Sequence, residues 1–421
     1  MPIHPAALER RHVLRLAGLA TLASATAACS EPDSSSTSSS PPAASIGRNL
    51  LANYQVHELD IAMTAEQFGA ALAAYETSGA KEWVECAVRA DGTAYERCGV
   101  RLKGNSTLWR VNDTAGATAA DYPWLVRFDK YVDGQAHGGI TEVSVRANNT
   151  ASALNEALSL DLLARTGLAA QGWAYAQVTV AGAAPSLRLL VENPSDAWML
   201  ANFGTQGMLY KAQATANYDY LGDDPARYAD RFEQEAGEDD LAPLIAFLQW
   251  VNQSSVDEFS SGLTKHLDAD AFATYLAFEG LIDNYDAIDG PGNNSYLFHD
   301  PAKARMTVVA WDHNLTFGVT NRPGGQGGRG PMGQPGGGAG GGAPGRRGNQ
   351  TGNVLSRRFE TTPDYAFQIT SESARLRSEL IAGGYAAGRL DALVTLIASS
   401  GQIDAATLAR EKASIAAYLT A

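Results

Sequence analysis

The feature that most restricts the fold is a change in the spacing of apolar residues at Asn193-Pro194. Before it, short runs alternate apolar and polar side chains, the period of a strand with one buried face. His57-Glu58-Leu59-Asp60-Ile61, Gly99-Val100-Arg101-Leu102-Lys103, Trp124-Leu125-Val126-Arg127-Phe128 and residues 175–180 and 186–192 read this way. Two helices interrupt them. One is opened by Thr64 with Glu66 near it as cap; the other covers 151–166, with Leu154, Leu158 and Leu162 on one face and Gly167 as its stop. After Asn193-Pro194 the period becomes helical over 195–203, 241–252, 268–284 and 374–419, with a strand pair at 294–299 and 306–310. An α+β chain is predicted, strand-rich over 48–193 and mainly helical over 194–421.

Ala90-Asp91-Gly92-Thr93 lies between two alternating runs, and Asp-Gly is a hairpin signal. The hairpin brackets Cys86 and Cys98, which cross-strand pairing places close enough for a disulfide; two buried free thiols are the alternative.

The chain opens as an address. Arg10-Arg11-His12-Val13-Leu14-Arg15, an apolar stretch to Ala28 and Thr26-Ala27-Ala28-Cys29 have the layout of a signal peptide over 1–29. The paired arginines resemble a twin-arginine export signal, and the small residues before Cys29 a lipoprotein cleavage box with Thr26 in place of an aliphatic residue. Residues 30–47 are rich in Ser, Thr, Pro and Ala and are expected to form a flexible tether. An exported protein held on a membrane through a lipidated Cys29, in the periplasm or at the cell surface, is the expected arrangement.

A formal net charge of -14 excludes a nonspecific grip on nucleic acid, which needs a basic face to displace counterions. An acidic protein that binds nucleotide must concentrate its cations, or hold metal with its carboxylates, where the phosphates lie. The glycine-dense stretch 323–348 cannot pack a core and is expected to be a disordered insertion; it lacks the every-third register of collagen and the strand and Lys-Ser or Lys-Thr helix of a phosphate loop. No Gly-x-Ser-x-Gly elbow is present, and the histidines lack zinc-ligand spacing.

Asp283-Asn284-Tyr285-Asp286 ends a helix, Asn293-Asn294 opens a strand, and the next strand leads into Trp311-Asp312. An acid, an amide, a hairpin and a second acid is the order that phosphoryl transfer uses: one carboxylate to orient the attacking hydroxyl, an amide and a second carboxylate to hold magnesium against the phosphates. By spacing alone these residues also read as turn formers and caps.

Further landmarks accompany them: Arg101-Leu102-Lys103-Gly104-Asn105-Ser106-Thr107, Phe128-Asp129-Lys130-Tyr131, Leu154-Asn155-Glu156-Ala157-Leu158, Leu190-Val191-Glu192, Leu209-Tyr210-Lys211, Asn284-Tyr285-Asp286, Asn294-Ser295-Tyr296-Leu297 and Phe317-Gly318. In this order they resemble the spore coat protein H (CotH) kinase-like family of ATP-dependent phosphotransferases, from about residue 50 to the end less the glycine-rich insert. The resemblance implies an atypical protein-kinase-like bilobal fold with an N-lobe over 48–193 and a C-lobe over 194–421. It implies ATP with Mg2+ (or Mn2+), Ser/Thr of exported or surface proteins as acceptors, Asp286 as catalytic acid, and Asp312, Asn293 and Asn294 as metal or phosphate ligands. It implies that Glu156 pairs with a nucleotide-positioning cation, for which Lys103, Arg127, Lys130 and Lys211 compete. The turn at Lys103 to Ser106, with Asn105, stands for the phosphate loop, and Glu192 lies at the adenine edge.

Two departures bear on activity. Tyr122-Pro123-Trp124 stands where the family often has a basic residue before the strand, and His313-Asn314 where a second acid is common. Losing a carboxylate weakens a hold on metal. The alternatives to a kinase are a non-catalytic cell-envelope binding module and an enzyme that transfers AMP.

Overall fold

The computed structural model describes residues 49–104, 106–213, 215–290, 293–320 and 353–420. The signal peptide with Cys29, the tether, Asn105 and the glycine-rich stretch 323–348 lie outside the described residues.

The alternating runs become β1 (Val56–Ala62), β2 (Val84–Ala90), β3 (Thr93–Leu102), β4 (Trp124–Arg127), β5 (Glu142–Val145), β6 (Trp173–Val180) and β7 (Ser186–Glu192). They close into a barrel in the order β1-β2-β3-β4-β5-β7-β6. Closure is made by β1 lying parallel to β6, from Val56 opposite Tyr175 to Ile61 opposite Val180. The expected α+β class is met, a strand-rich part followed by a helical part; the strand-rich part is a closed seven-stranded barrel, which the expected kinase-like bilobal fold does not describe.

Three helices belong to this half: α1 (Ala65–Ser78), α2 (Ser106–Asn112) and α3 (Leu154–Leu163). In the box that starts α1, Thr64 Oγ1 accepts from Gln67 N at 3.2 Å and Gln67 Oε1 from Thr64 N at 2.9 Å, so the reciprocal partner is Gln67 and not Glu66. The β2–β3 turn has Asp91 at φ 47° and Gly92 at φ 81°, the doubly left-handed turn that matches strand twist. Cys86 faces Cys98 across this hairpin, as the spacing predicts, yet both are buried free thiols and the expected bridge is not formed.

Strand β7 shows how the two cores meet. Leu187, Leu189 and Val191 pack outward with α3 and the helical half, while Leu190 joins the barrel interior with Leu59, Val88, Val100, Trp124, Val126 and Val145. All ten residues of α3 are buried, and its apolar side chains pack with the helical half against the outer face of the barrel at β6 and β7.

The helical half begins with α4 (Asp196–Phe203) and β8 (Met208–Ala212), then β9 (Phe232–Ala236), α5 (Ala242–Gln253), α6 (Val256–Gly262) and α7 (Ala269–Leu281). Strands β10 (Ser295–Asp300) and β11 (Arg305–Ala310) complete a four-stranded sheet in the order β11-β10-β8-β9. Gly237, at φ 87°, ends β9 where a side chain would strike the backbone at Gly207. After the glycine-rich stretch come α8 (Val354–Thr361), α9 (Pro363–Leu376), α10 (Tyr385–Ser399) and α11 (Ala405–Leu419). The final helical region therefore starts before residue 374.

Candidate active site

Arg146, the residue after β5, lies between two acids. Its Nε donates to Glu156 Oε1 at 2.8 Å, and its Nη2 reaches both the same oxygen and Asp312 Oδ1. Glu156 is fixed by the buried helix α3. Asp312 follows β11 at φ 63°, a left-handed conformation that turns the chain into a short 3-10 turn, His313–Leu315. The Arg146 backbone is held as well: Arg188 points into the barrel from β7 and donates to the Arg146 carbonyl, and to that of Tyr122 at 3.0 Å. Against the cost of burial, Asp312 and then Glu156 hold the Arg146 guanidinium above its usual value. Burial pushes Glu156 up while Arg146 pulls it down. Side-chain exposure is 3% for Glu156, 14% for Arg146 and 25% for Asp312, so the triad opens to solvent on the Asp312 side.

Trp311 links this triad to a second group of charges. The Arg146 guanidinium carbon lies 5.6 Å from its ring centroid and Lys103 Nζ 5.7 Å. Lys103, at the end of β3, is buried and donates to Asn193 Oδ1 at 2.6 Å; Asn193 in turn donates to Glu142 Oε1 at 2.7 Å. Lys211 of β8 meets Glu235 of β9 at 3.5 Å. Burial and then the Lys211 ammonium lower Lys103 to about 7, with Glu235 opposing. Against its own burial, Lys103 and Lys211 hold Glu235 below the usual carboxylate value. Burial raises Glu142. Facing Lys211 across β8–β10 is Tyr296, whose buried hydroxyl has no hydrogen-bond partner among the described residues.

The segment holding Asp286 is organised by backbone. Asn294 N donates to the Asp286 carbonyl at 2.8 Å, and Asp286 N donates to Asn284 Oδ1 at 3.3 Å. Beneath it lies Glu279, near the end of α7. One oxygen accepts from Asn284 Nδ2 at 2.7 Å and the other meets His313 Nε2 at 3.1 Å, all in buried surroundings. Glu279 therefore ties the turn before Asp286 to the residue after Asp312. Asn293, at φ 56°, donates to the Ala216 carbonyl and accepts from Asn353 Nδ2 at 3.1 Å.

The predicted residues thus fall into groups. Glu156 and Asp312 meet through Arg146, Lys103 lies across Trp311 from Arg146, and Lys211 pairs with Glu235. Asn294 is placed against Asp286. Asn293 has both ends of its amide committed to neighbouring chain. Arg127 pairs with Asp129 at 2.8 Å, and Lys130 lies over Trp83 at 5.0 Å. Glu192 accepts from Gly172 N at 2.9 Å and is raised by burial, so it braces the joint between β6 and β7. Among the described contacts Glu156 pairs with none of the four cations named for it. That place is taken by Arg146, which the sequence reading missed together with Asn193, Glu235 and Glu279.

The pattern of the family described as CotH kinase protein matches residues 100–412. The chain belongs to that family. Every residue of the triad and of the lysine group lies inside the stretch matched to CotH kinase protein. Inner spore coat protein H of Bacillus subtilis (strain 168) is 24% identical over 187 residues, 43% of this chain and 51% of that protein. The chain therefore spans about half the length of the curated relative it matches.

The donor set of this CotH-family site has the chemistry of a polyphosphate ligand: Lys103, Lys211 and Arg146 offer three cations, and the Tyr296 hydroxyl has no partner among the described residues. Among the described residues no cluster of three or more His, Cys, Asp or Glu is placed to hold a metal ion alone. Mg2+ commonly takes one or two protein ligands and completes its shell with phosphate oxygens and water. Asp312, with a quarter of its side chain exposed, fits the role of one such ligand; Asn293 does not, since its amide is occupied.

Proposed function

We propose that the protein is an ATP- and Mg2+ (or Mn2+)-dependent phosphotransferase of kinase-like bilobal design that acts on Ser or Thr hydroxyls of exported proteins, itself exported and held at the envelope through a lipid on Cys29. The observation that supports it most is the Arg146 bridge between Glu156 and Asp312, with Lys103 across Trp311. Such a charge-fixed group of side chains suits phosphoryl transfer, in which the protein contributes chiefly positioning and electrostatic stabilisation. In this reading Arg146, Lys103 and Lys211 bind phosphate oxygens. Asp312 and Asn294 would hold Mg2+, which when bound neutralises developing phosphate charge. Asp286 accepts the proton of the attacking hydroxyl as the oxygen–phosphorus bond forms and the bond to ADP breaks.

One observation favours a non-catalytic envelope module: Asp312 already spends one oxygen on Arg146, and Asn293 is tied to neighbouring chain. The test incubates the mature protein from Ile46 with γ-labelled ATP, Mg2+ or Mn2+ and a serine-rich peptide pool, beside Asp286→Ala and Asp312→Ala. Transfer lost in both variants supports the kinase. Transfer of AMP mass instead selects the adenylyl reaction; no transfer together with no Mg-ATP thermal shift selects the module.

A further inference from the structure

We infer that the C-terminal helix α11 braces the Arg146–Glu156–Asp312 triad, with Glu411 as its positioning residue; the effect on rate rests on the phosphotransferase reading. Residues 147–153 join Arg146 to the helix carrying Glu156, so their conformation sets where the guanidinium meets its acid. Glu411 grips that loop from far along the chain. Its Oε1 accepts from Ala151 N at 2.8 Å, and its Oε2 accepts from Ser152 N at 3.2 Å and from the Ser152 hydroxyl. Ala153 enters α3 at φ 52° with its N donating to Thr150 Oγ1 at 3.0 Å and no cap of its own, and the grip of Glu411 on residues 151 and 152 adds to that hold from outside the loop.

Two turns further along α11, Tyr418 reaches the other side of the triad. Its ring packs edge-on against Phe317 at 6.2 Å, and its hydroxyl end fills the space beside Gly318, which sits at φ 82°. Phe317-Gly318 closes the segment that Asp312 opens, and Phe317 N is fixed to the Ile282 carbonyl at 2.8 Å. One helix therefore touches both segments that deliver carboxylates to Arg146. A carboxylate is required at 411, since three donors converge on two oxygens; an amide turns one acceptor into a donor facing N–H and O–H groups.

The control is Arg389, which fastens α10 to Asp161 on α3 at 2.7 Å without touching the 147–153 loop. The experiment compares wild type, Glu411→Gln, Glu411→Asp and Arg389→Ala in the mature chain. It reads exchange of the Arg146 Nε proton by NMR, Tm, and kcat and KM for Mg-ATP. Glu411→Gln should speed Nε exchange and lower kcat by up to about a hundredfold, the scale of a misplacement of roughly 1 Å at a reacting centre. Glu411→Asp should recover part of both, and Arg389→Ala should lower Tm while leaving both near wild type. Nε exchange unchanged in Glu411→Gln, or equally changed in Arg389→Ala, overturns the brace. If wild type transfers no label, the phosphotransferase reading falls by itself, and the exchange comparison still decides for or against the brace.

Discussion

Lys103 is buried beside Lys211 and hydrogen-bonded to a neutral amide, so its ammonium is stabilised further by an arriving anion. Its value of about 7 lies below the ordinary 10.5. Between those pH values the unfolded chain binds more protons, so this residue makes stability rise with pH across that window; below it, the full penalty of burying the charge applies. A phosphate ligand reverses the preference and draws a proton in. Mg-ATP affinity should accordingly weaken as pH rises from 7 to 9, with proton uptake visible by calorimetry in buffers of different ionisation heat. Lys103→Arg should flatten the profile, because guanidinium stays charged. A wild-type affinity independent of pH would remove Lys103 from the phosphates.

Glu156 carries a different load. Glu156→Ala leaves a buried guanidinium with Asp312 alone, and loss of one partner from a buried pair costs about 3–5 kcal/mol, to be read from urea unfolding. Glu156 could be recognised in Leu154-Asn155-Glu156 as the acid awaiting a cation; its partner could not. Arg146 follows a strand of four residues, Glu142–Val145, too short for alternation to stand out, whereas Lys103 and Lys130 sit in louder motifs. Glu411 is equally silent, an ordinary half-exposed glutamate on a helix until the fold brings residue 151 to it.

At the level of elements, the β2–β3 hairpin was the most legible, because Asp91-Gly92 and two alternating runs agree. Strand β9 was invisible: Phe-Glu-Gln-Glu-Ala has no apolar alternation, since Glu235 is buried for its charge contacts with Lys103 and Lys211. Facing each other in the hairpin, Cys86 and Cys98 are pushed up to about 12 and about 11, chiefly by burial. Reactivity belongs to the thiolate. After mild reduction, iodoacetamide at pH 8 should leave both unlabelled in the folded protein and label both in urea, by intact mass. Rapid labelling of the native state would contradict the buried placement.

Across the whole molecule, α3 is the shared wall of barrel and helical half, and it is fastened by Tyr385 and Arg389 to Asp161 and by Glu411 to its leading loop. Because all ten of its residues are buried, the helix has no room to swing Glu156 in and out of register. Its amides should exchange only through near-global opening, with protection that Mg-ATP scarcely changes, as read by hydrogen–deuterium exchange. Protection that rises strongly on nucleotide binding would reveal a mobile helix.

The parallel seam between β1 and β6 sets an order of assembly. During synthesis β1 emerges more than a hundred residues ahead of its partner and can settle against β2 alone, leaving one edge bare until Trp173–Val180 is available. Distant pairing of this kind slows folding and prolongs exposure of unpaired backbone. The ring is complete only when β7, which follows β6, takes its place between β5 and β6, and a chain halted anywhere before β7 is a chain still open to the wrong neighbour.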